Sequence, residues 1–333
     1  MRYTNLGKSN LKVSRICLGT MHYGDRTPED EAVKIMDRAL EMGINFWDTA
    51  NVYPGPGRRG GSEAIIGRYF QTHKGSRDRV VLATKVNGPM EDVDDPNYER
   101  GISAYKVRKH VNDSLTRLHT DRIDLYQVHH IDRTITVEEF WGTFEKLVAD
   151  GKVLYMGSSN FPGWGLAKFQ AAAMQRGFLG LISEQTMYSL LCRWPELEVL
   201  PAALDLGIGV IPYMPLAGGI LTAKVQSEAG SRTAAVEEEY GIPVGSEQIK
   251  AYQMLCSDLG ESPVAVAIAW TLAQPSVSSA IVGIRKLAHL DDIERASEFD
   301  LDEETLKQLN EIFDTNKGRP IRTSKPAPEA YAW

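Results

Sequence analysis

Cysteine is scarce in this chain: Cys17, Cys192 and Cys256 are far apart and odd in number. They fit neither a disulfide framework nor zinc-ligand spacing, which suits a reducing cytosol and predicts no metal site. A basic excess is also missing. Lys and Arg number 37 against 44 Asp and Glu, a net charge of −7, so nucleic acid is not an expected partner. The longest apolar stretch, residues 264–273, falls well short of the ~20 residues a bilayer requires, so no membrane partner is expected either. The N-terminal Met-Arg-Tyr-Thr-Asn-Leu-Gly-Lys lacks the apolar core of a signal peptide, and the expected location is cytoplasmic. What is there is ordinary globular material, 43% hydrophobic and 24% charged over 333 residues. That length could hold two common domains, but α/β barrels of this size run as one, and one domain spanning 1–333 is expected.

Strand and helix signals alternate along the chain. Residues 3–16 read as a hairpin about Gly7, Lys8, Ser9 and Asn10. Strands are predicted at 16–19, 44–48, 80–85, 123–128, 153–158, 180–184, 209–213 and 280–282. Amphipathic helical segments are predicted at 28–41, 62–69, 104–118, 137–150, 165–176, 196–206, 248–274 and 287–296. Thr27-Pro28 and Ser262-Pro263 read as an N-cap followed by proline at the first helical position, and Gly43, Gly151 and Gly207 as C-terminal caps. Eight alternations predict a parallel sheet. A doubly wound open sheet is the rival, and the count with the hairpin plug favours a (β/α)8 barrel with an extra C-terminal helix. The insertion 221–247 is long enough to be a lid over a binding site.

Four residues of different chemistry stand at the ends of three consecutive predicted strands: Asp48 and Tyr53, then Lys85, then His129. Barrel chemistry sits at that end of the strands. Taken singly, a strand-end lysine is usually a surface charge and a lone histidine is usually structural. Together they make a proton-transfer set. A lysine cation beside a tyrosine favours the phenolate, an aspartate holds the lysine charged, and a histidine can donate to a substrate oxygen. That is a tuned acid facing a carbonyl that gains negative charge. Since no side chain carries hydride, a cofactor must supply it.

The order Asp48, Tyr53, Lys85, His129 resembles the tetrad of the aldo-keto reductase superfamily, and the likeness runs over nearly the whole chain. Gly19-Thr20-Met21 follows the first barrel strand as in that family. Ser159 and Asn160, within Gly157-Ser158-Ser159-Asn160-Phe161, resemble its carboxamide-binding segment, with Gln185 as a second amide contact. Tyr213-Met214-Pro215-Leu216-Ala217, followed by Gly219 and Leu221, resembles the strand that stacks a tyrosine on nicotinamide. Gly283, Ile284, Arg285 and His289 resemble the late segment that holds the adenosine phosphate. The resemblance implies NADPH/NADP as cofactor, Tyr53 as proton donor, Lys85 and Asp48 as its tuners, and His129 orienting the carbonyl. It departs from the family at Met214, where many members carry a hydroxyl, and at Ile293, where many carry an asparagine. His129-His130-Ile131-Asp132-Arg133, residues 194–201 and residues 327–331 resemble bacterial reductases of keto sugars. The implied partner is a small-molecule carbonyl compound, and a homo-oligomer is compatible with the chain. The alternative is a regulatory NADPH-binding subunit resembling potassium-channel β-subunits.

Met21, Tyr23, Tyr53, Asn87, His129 and His130 are the expected substrate contacts, with Trp194, Tyr331 and Trp333 as further candidates for the mouth. Asn51, Arg58 and Arg59 would add polarity to it. Gly55-Pro56-Gly57-Arg58-Arg59-Gly60 satisfies a dinucleotide fingerprint but does not follow a strand directly, so it reads as a loop before a helix capped by Ser62. Adjacent strand residues face opposite ways, which selects one of His129 and His130 unless the chain turns there.

Overall fold

The computed structural model describes residues 1–90, 97, 101–222 and 245–314. Strands β1 (Tyr3–Asn5) and β2 (Lys12–Ser14) form an antiparallel hairpin. The remaining strands are β3 (Ile16–Gly19), β4 (Phe46–Asp48), β5 (Val81–Val86), β6 (Ile123–Val128), β7 (Val153–Ser159), β8 (Leu181–Gln185), β9 (Gly209–Val210) and β10 (Ala280–Gly283). They make one sheet in the order β10-β3-β4-β5-β6-β7-β8-β9, every pair parallel. Ser278 N donates to Val210 O and Ile281 N to Pro212 O, both at 2.8 Å, which draws the two ends of the sheet together. The architecture is a (β/α)8 barrel.

Two cores follow from the strand period of two. Cys17, Phe46, Ala83, Leu125, Ile182, Ile211 and Ile281 point inward, and Leu6 and Val13 of the hairpin close on them. Leu18, Trp47, Leu82 and Tyr126 point outward, under the helices. The plug requires a glycine at position 7. Its φ is +55°, and a Cβ there would stand 2.4 Å from Ile182 O and 2.7 Å from Gly209 N.

The helices are Glu29–Glu41, Gly61–Thr72, Ala104–Arg117, Val137–Ala149, Gly163–Gln175, Val199–Leu206, Glu247–Asp258, Pro263–Leu272, Leu290–Ala296 and Glu303–Ile312. The segment 248–274 is two helices, because Gly260 at φ +68° ends one and Ser262 starts the next, its side chain accepting from Ala265 N. Thr27 is not an N-cap: Pro28 takes that position without a side-chain bond, and Thr27 is buried. Ser62 is not a cap either. Gly60, in the left-handed region, precedes that helix, and Ser62 Oγ donates to Tyr23 O. The strand expected over 209–213 is regular only at Gly209–Val210. Gly43, Gly151 and Gly207 all take the left-handed conformation that ends a helix. Among the described residues no helix is long and apolar enough to cross a membrane. Most of the insertion 221–247, as well as Tyr331 and Trp333, lies outside the described residues.

Candidate active site

Two residues further along each inward row, the apolar layer gives way to a polar one. Phe46 is followed by Asp48, Ala83 by Lys85, and Leu125 by Gln127. Strand β8 reaches the same layer by a different route. Met156 pairs with Leu181 but Gly157 pairs with Ser183, so Ile182 is an extra residue. This bulge shifts the alternation of β8 by one. Without it the inward Ile182 would be followed inward by Glu184. With it Gln185 enters the barrel and Glu184 faces out. Gly157 accommodates the bulge, since a Cβ there would stand 2.4 Å from Ser183 Oγ.

Lys85 is fully buried. Its Nζ donates to Asp48 Oδ2 at 2.6 Å and Thr49 O at 2.9 Å, and lies 3.3 Å from Tyr53 Oη. Asp48 Oδ1 accepts from Gln127 Nε2 and Gln185 Nε2, each at 2.9 Å. Burial opposes the Lys85 charge most strongly, but Asp48 and Tyr53 together outweigh it and hold the ammonium above the ordinary lysine value. A fixed cation beside a phenol is the physical means of easing its proton loss. The His129 and Tyr53 rings stand nearly perpendicular, at 85°, with centroids 5.8 Å apart. Asp48, Tyr53 and Lys85 are therefore in direct contact, with His129 beside them.

His129 lies one residue past the end of β6, where the pleat no longer applies. Its ring stacks on His130 at 5.1 Å with an 11° interplanar angle, so both imidazoles share one side. Asn87 is buried and its Nδ2 donates to His130 O at 3.3 Å. Tyr23 corrects its expectation. It is fully buried in the outer core, and an enclosed ring has no surface for a substrate. The same applies to the side chain of Leu221. Asn51 is buried against His110, Nδ2 to Nδ1 at 3.2 Å, rather than on the rim. Arg58 is exposed and bound to Gly24 O and Asp25. Met21 is partly buried near the end of β3, and Trp194 packs against the outer core.

Several of the residues expected to hold a cofactor lie at the same end of the barrel. Thr20 Oγ1 donates to Asp48 O at 2.9 Å. Gly19 abuts β10, where a Cβ would meet Ile281 Cγ2 at 2.9 Å. Asn160, at φ +57°, spans the site: its Nδ2 donates to His129 O and Ser159 Oγ, each at 3.0 Å, and its Oδ1 accepts from Tyr213 Oη at 2.9 Å. After Tyr213 the chain coils through Met214, Ala217, Gly218 and Gly219, all at positive φ, with Pro215 and Leu216 between. Gly283 ends β10 with open space at its Cβ position. Ile284 is buried, while Arg285, Lys286 and His289 are exposed beyond it. Desolvation and the charges of Arg285 and Lys286 hold His289 below the ordinary histidine value, so two cations stand beside a neutral imidazole at this end of the barrel.

Two residues escaped the sequence reading. Gln127 has a signal in retrospect: a polar residue inside an apolar strand, two before His129. Glu184 has none, because only the bulge decides which of Glu184 and Gln185 faces inward. Glu184 is buried, its Oε2 2.5 Å from Ser158 Oγ and its Oε1 accepting from Phe161 N at 3.0 Å. Burial pushes its carboxyl up to about 8, against the hydrogen bonds from Ser158, Phe161 and Asn160.

The barrel and this polar layer define a carbonyl-reducing oxidoreductase. The model of the aldo/keto reductase family matches residues 15–314, and the chain belongs to that family. It is 49% identical over the full length of both chains to the uncharacterized oxidoreductase YrpG of Bacillus subtilis. It is 31% identical to the versiconal hemiacetal acetate reductase of Aspergillus parasiticus, covering 94% of this chain and 97% of that one. The aldo-keto reductase YhdN of Bacillus subtilis is also 31% identical, over 98% of each.

Proposed function

We propose that this chain is an NADPH-dependent reductase of aldehydes or ketones in which Tyr53 gives the proton, with keto sugars among its substrates. One observation carries the reading: a buried ammonium, Lys85, pinned by Asp48 within reach of the Tyr53 phenol. When bound, the cofactor supplies hydride. The residues present suit it. Ser159, Asn160 and Gln185 offer amide and hydroxyl groups to a carboxamide, Tyr213 offers a ring, and Arg285 and Lys286 offer positive charge, with the His289 imidazole beside them, to a phosphate beside the open end of β10.

Lys85 keeps its proton and lowers the cost of removing one from Tyr53. His129 donates to the carbonyl oxygen and aims it at that phenol. As negative charge grows on the oxygen, the Tyr53 proton neutralises it, and the Lys85 charge stabilises the phenolate left behind. Asp48, held by Gln127 and Gln185, keeps Lys85 in place through the cycle.

His130, stacked beside His129, and Arg59 on the loop after Tyr53 favour a hydroxylated substrate. A site built to pair hydroxyls discriminates against analogues that lack them. The test is NADPH oxidation over a carbonyl panel that includes a keto sugar and a size-matched cyclic ketone without hydroxyls. A higher kcat/KM for the keto sugar supports the full reading. Equal or better use of the plain ketone removes the sugar assignment. NADPH binding without turnover of any carbonyl would point to a regulatory subunit.

A further inference from the structure

We propose that Glu184 is a positioning residue of the active mouth, whose side chain clamps the turn Ser158–Phe161 so that Asn160 is held across the site. The inference rests on the functional reading above for what Ser159 and Asn160 bind, but the clamp itself is geometric.

Ser158 and Glu184 are direct partners in the β7–β8 register, as are Ser159 and Gln185. Each strand thus sends one residue of the pair inward and one outward. Gln185 reaches in to Asp48. Glu184 lies behind, closing on Ser158 Oγ and Phe161 N, the two ends of the turn. Asn160 sits at φ +57°, the left-handed region that asparagine enters more readily than other non-glycine residues, and the clamped ends fix the turn around it. Between the clamped ends, Asn160 ties His129 O to Tyr213 Oη.

A structural glutamate at this depth is ordinarily matched by a cation, whereas Glu184 closes on a hydroxyl and backbone amides. Ser158 Oγ also lies 3.3 Å from Ser183 O. A protonated carboxyl can therefore donate to Ser158 Oγ, whose own hydroxyl hydrogen then donates to Ser183 O. Glutamine has the same shape and can make the same contacts. Alanine makes neither.

The experiment compares Glu184→Gln, Glu184→Ala and Ser158→Ala with the parent. Amide hydrogen exchange over residues 159–161, without cofactor, should be faster in Glu184→Ala and parent-like in Glu184→Gln. NADPH titration should show a dissociation constant about tenfold weaker in Glu184→Ala, restored to within about threefold by Glu184→Gln. Turnover at saturating NADPH should change less than affinity, a split that general loosening of the fold would not give. If Glu184→Ala does not fold, Ser158→Ala decides, with faster exchange and a several-fold weaker affinity expected. Unchanged exchange and unchanged affinity overturn the clamp. If the parent itself does not bind NADPH, the functional reading fails first, and exchange at 159–161 alone then supports or rejects the clamp.

Discussion

Asp48→Asn probes how the polar layer is built. Asp48 is almost fully buried and accepts three hydrogen bonds, from Lys85 on one oxygen and from Gln127 and Gln185 on the other. Asparagine keeps the shape but turns one acceptor into a donor. Its amide nitrogen must then face either the Lys85 ammonium or two glutamine amides, and the ammonium loses its counter-charge. Breaking one side of a buried ion pair costs roughly 3–5 kcal/mol. At ~2.1 cal/mol/K per residue the unfolding entropy of a chain this long is ~0.7 kcal/mol/K, so the melting temperature should fall by about 4–7 °C. The loss should depend on pH. Without Asp48, desolvation takes Lys85 below its ordinary value, so the unfolded chain binds the extra proton in the window between the two values. Stability of the variant therefore rises with pH there, and its deficit narrows toward about pH 10. Lys85→Met in the Asp48→Asn background should recover part of the deficit by removing the stranded charge. Thermal melts at several pH values measure all of this. A variant melting within about 1 °C of the parent at every pH would refute the idea that Asp48 keeps Lys85 charged.

Three further outcomes are expected. Gly7→Ala should cost roughly 3 kcal/mol or more in a denaturant titration, because its Cβ would meet backbone on two sides, while activity per folded molecule holds since the plug lies at the other end of the barrel. Arg285→Ala should weaken NADPH by about one to two decades and NADH far less, measured by parallel titrations; equal losses would mean Arg285 does not read the extra phosphate. Glu184 is an acid raised from 4.5 to about 8, so the native state holds its proton where the unfolded chain has lost it. Its contribution is fully present below 4.5 and is lost as pH rises through 8, a fall on the order of a few kcal/mol that Glu184→Gln should flatten in pH-dependent melts.

The parts of this protein that were legible in its sequence are those governed by local periodicity. Apolar runs placed the eight barrel strands to within a few residues, and the polar residue ending each run marked Asp48, Lys85 and His129. What escaped the sequence depends on contacts between distant segments. The bulge at Ile182 exists because of the register between β7 and β8, and it alone sends Gln185 inward. Tyr23 and Asn51 carry groups that suit a mouth, yet the helices that cover them belong to other parts of the chain. Proline marked where the first helix begins but not its capping residue, since Pro28 itself took the position expected for Thr27.

The most direct test of the central claim is single-turnover reduction by Tyr53→Phe. With NADPH and a carbonyl that the parent reduces, the rate should fall on the order of 10²–10⁴, the contribution of a positioned general acid. Affinity for NADPH should stay within about threefold, because the phenol sits beside Lys85 and the His129 ring in the polar layer, where its role is the proton rather than the phosphate. A parent-like rate in that variant would contradict the account, for it would show that the proton comes from elsewhere.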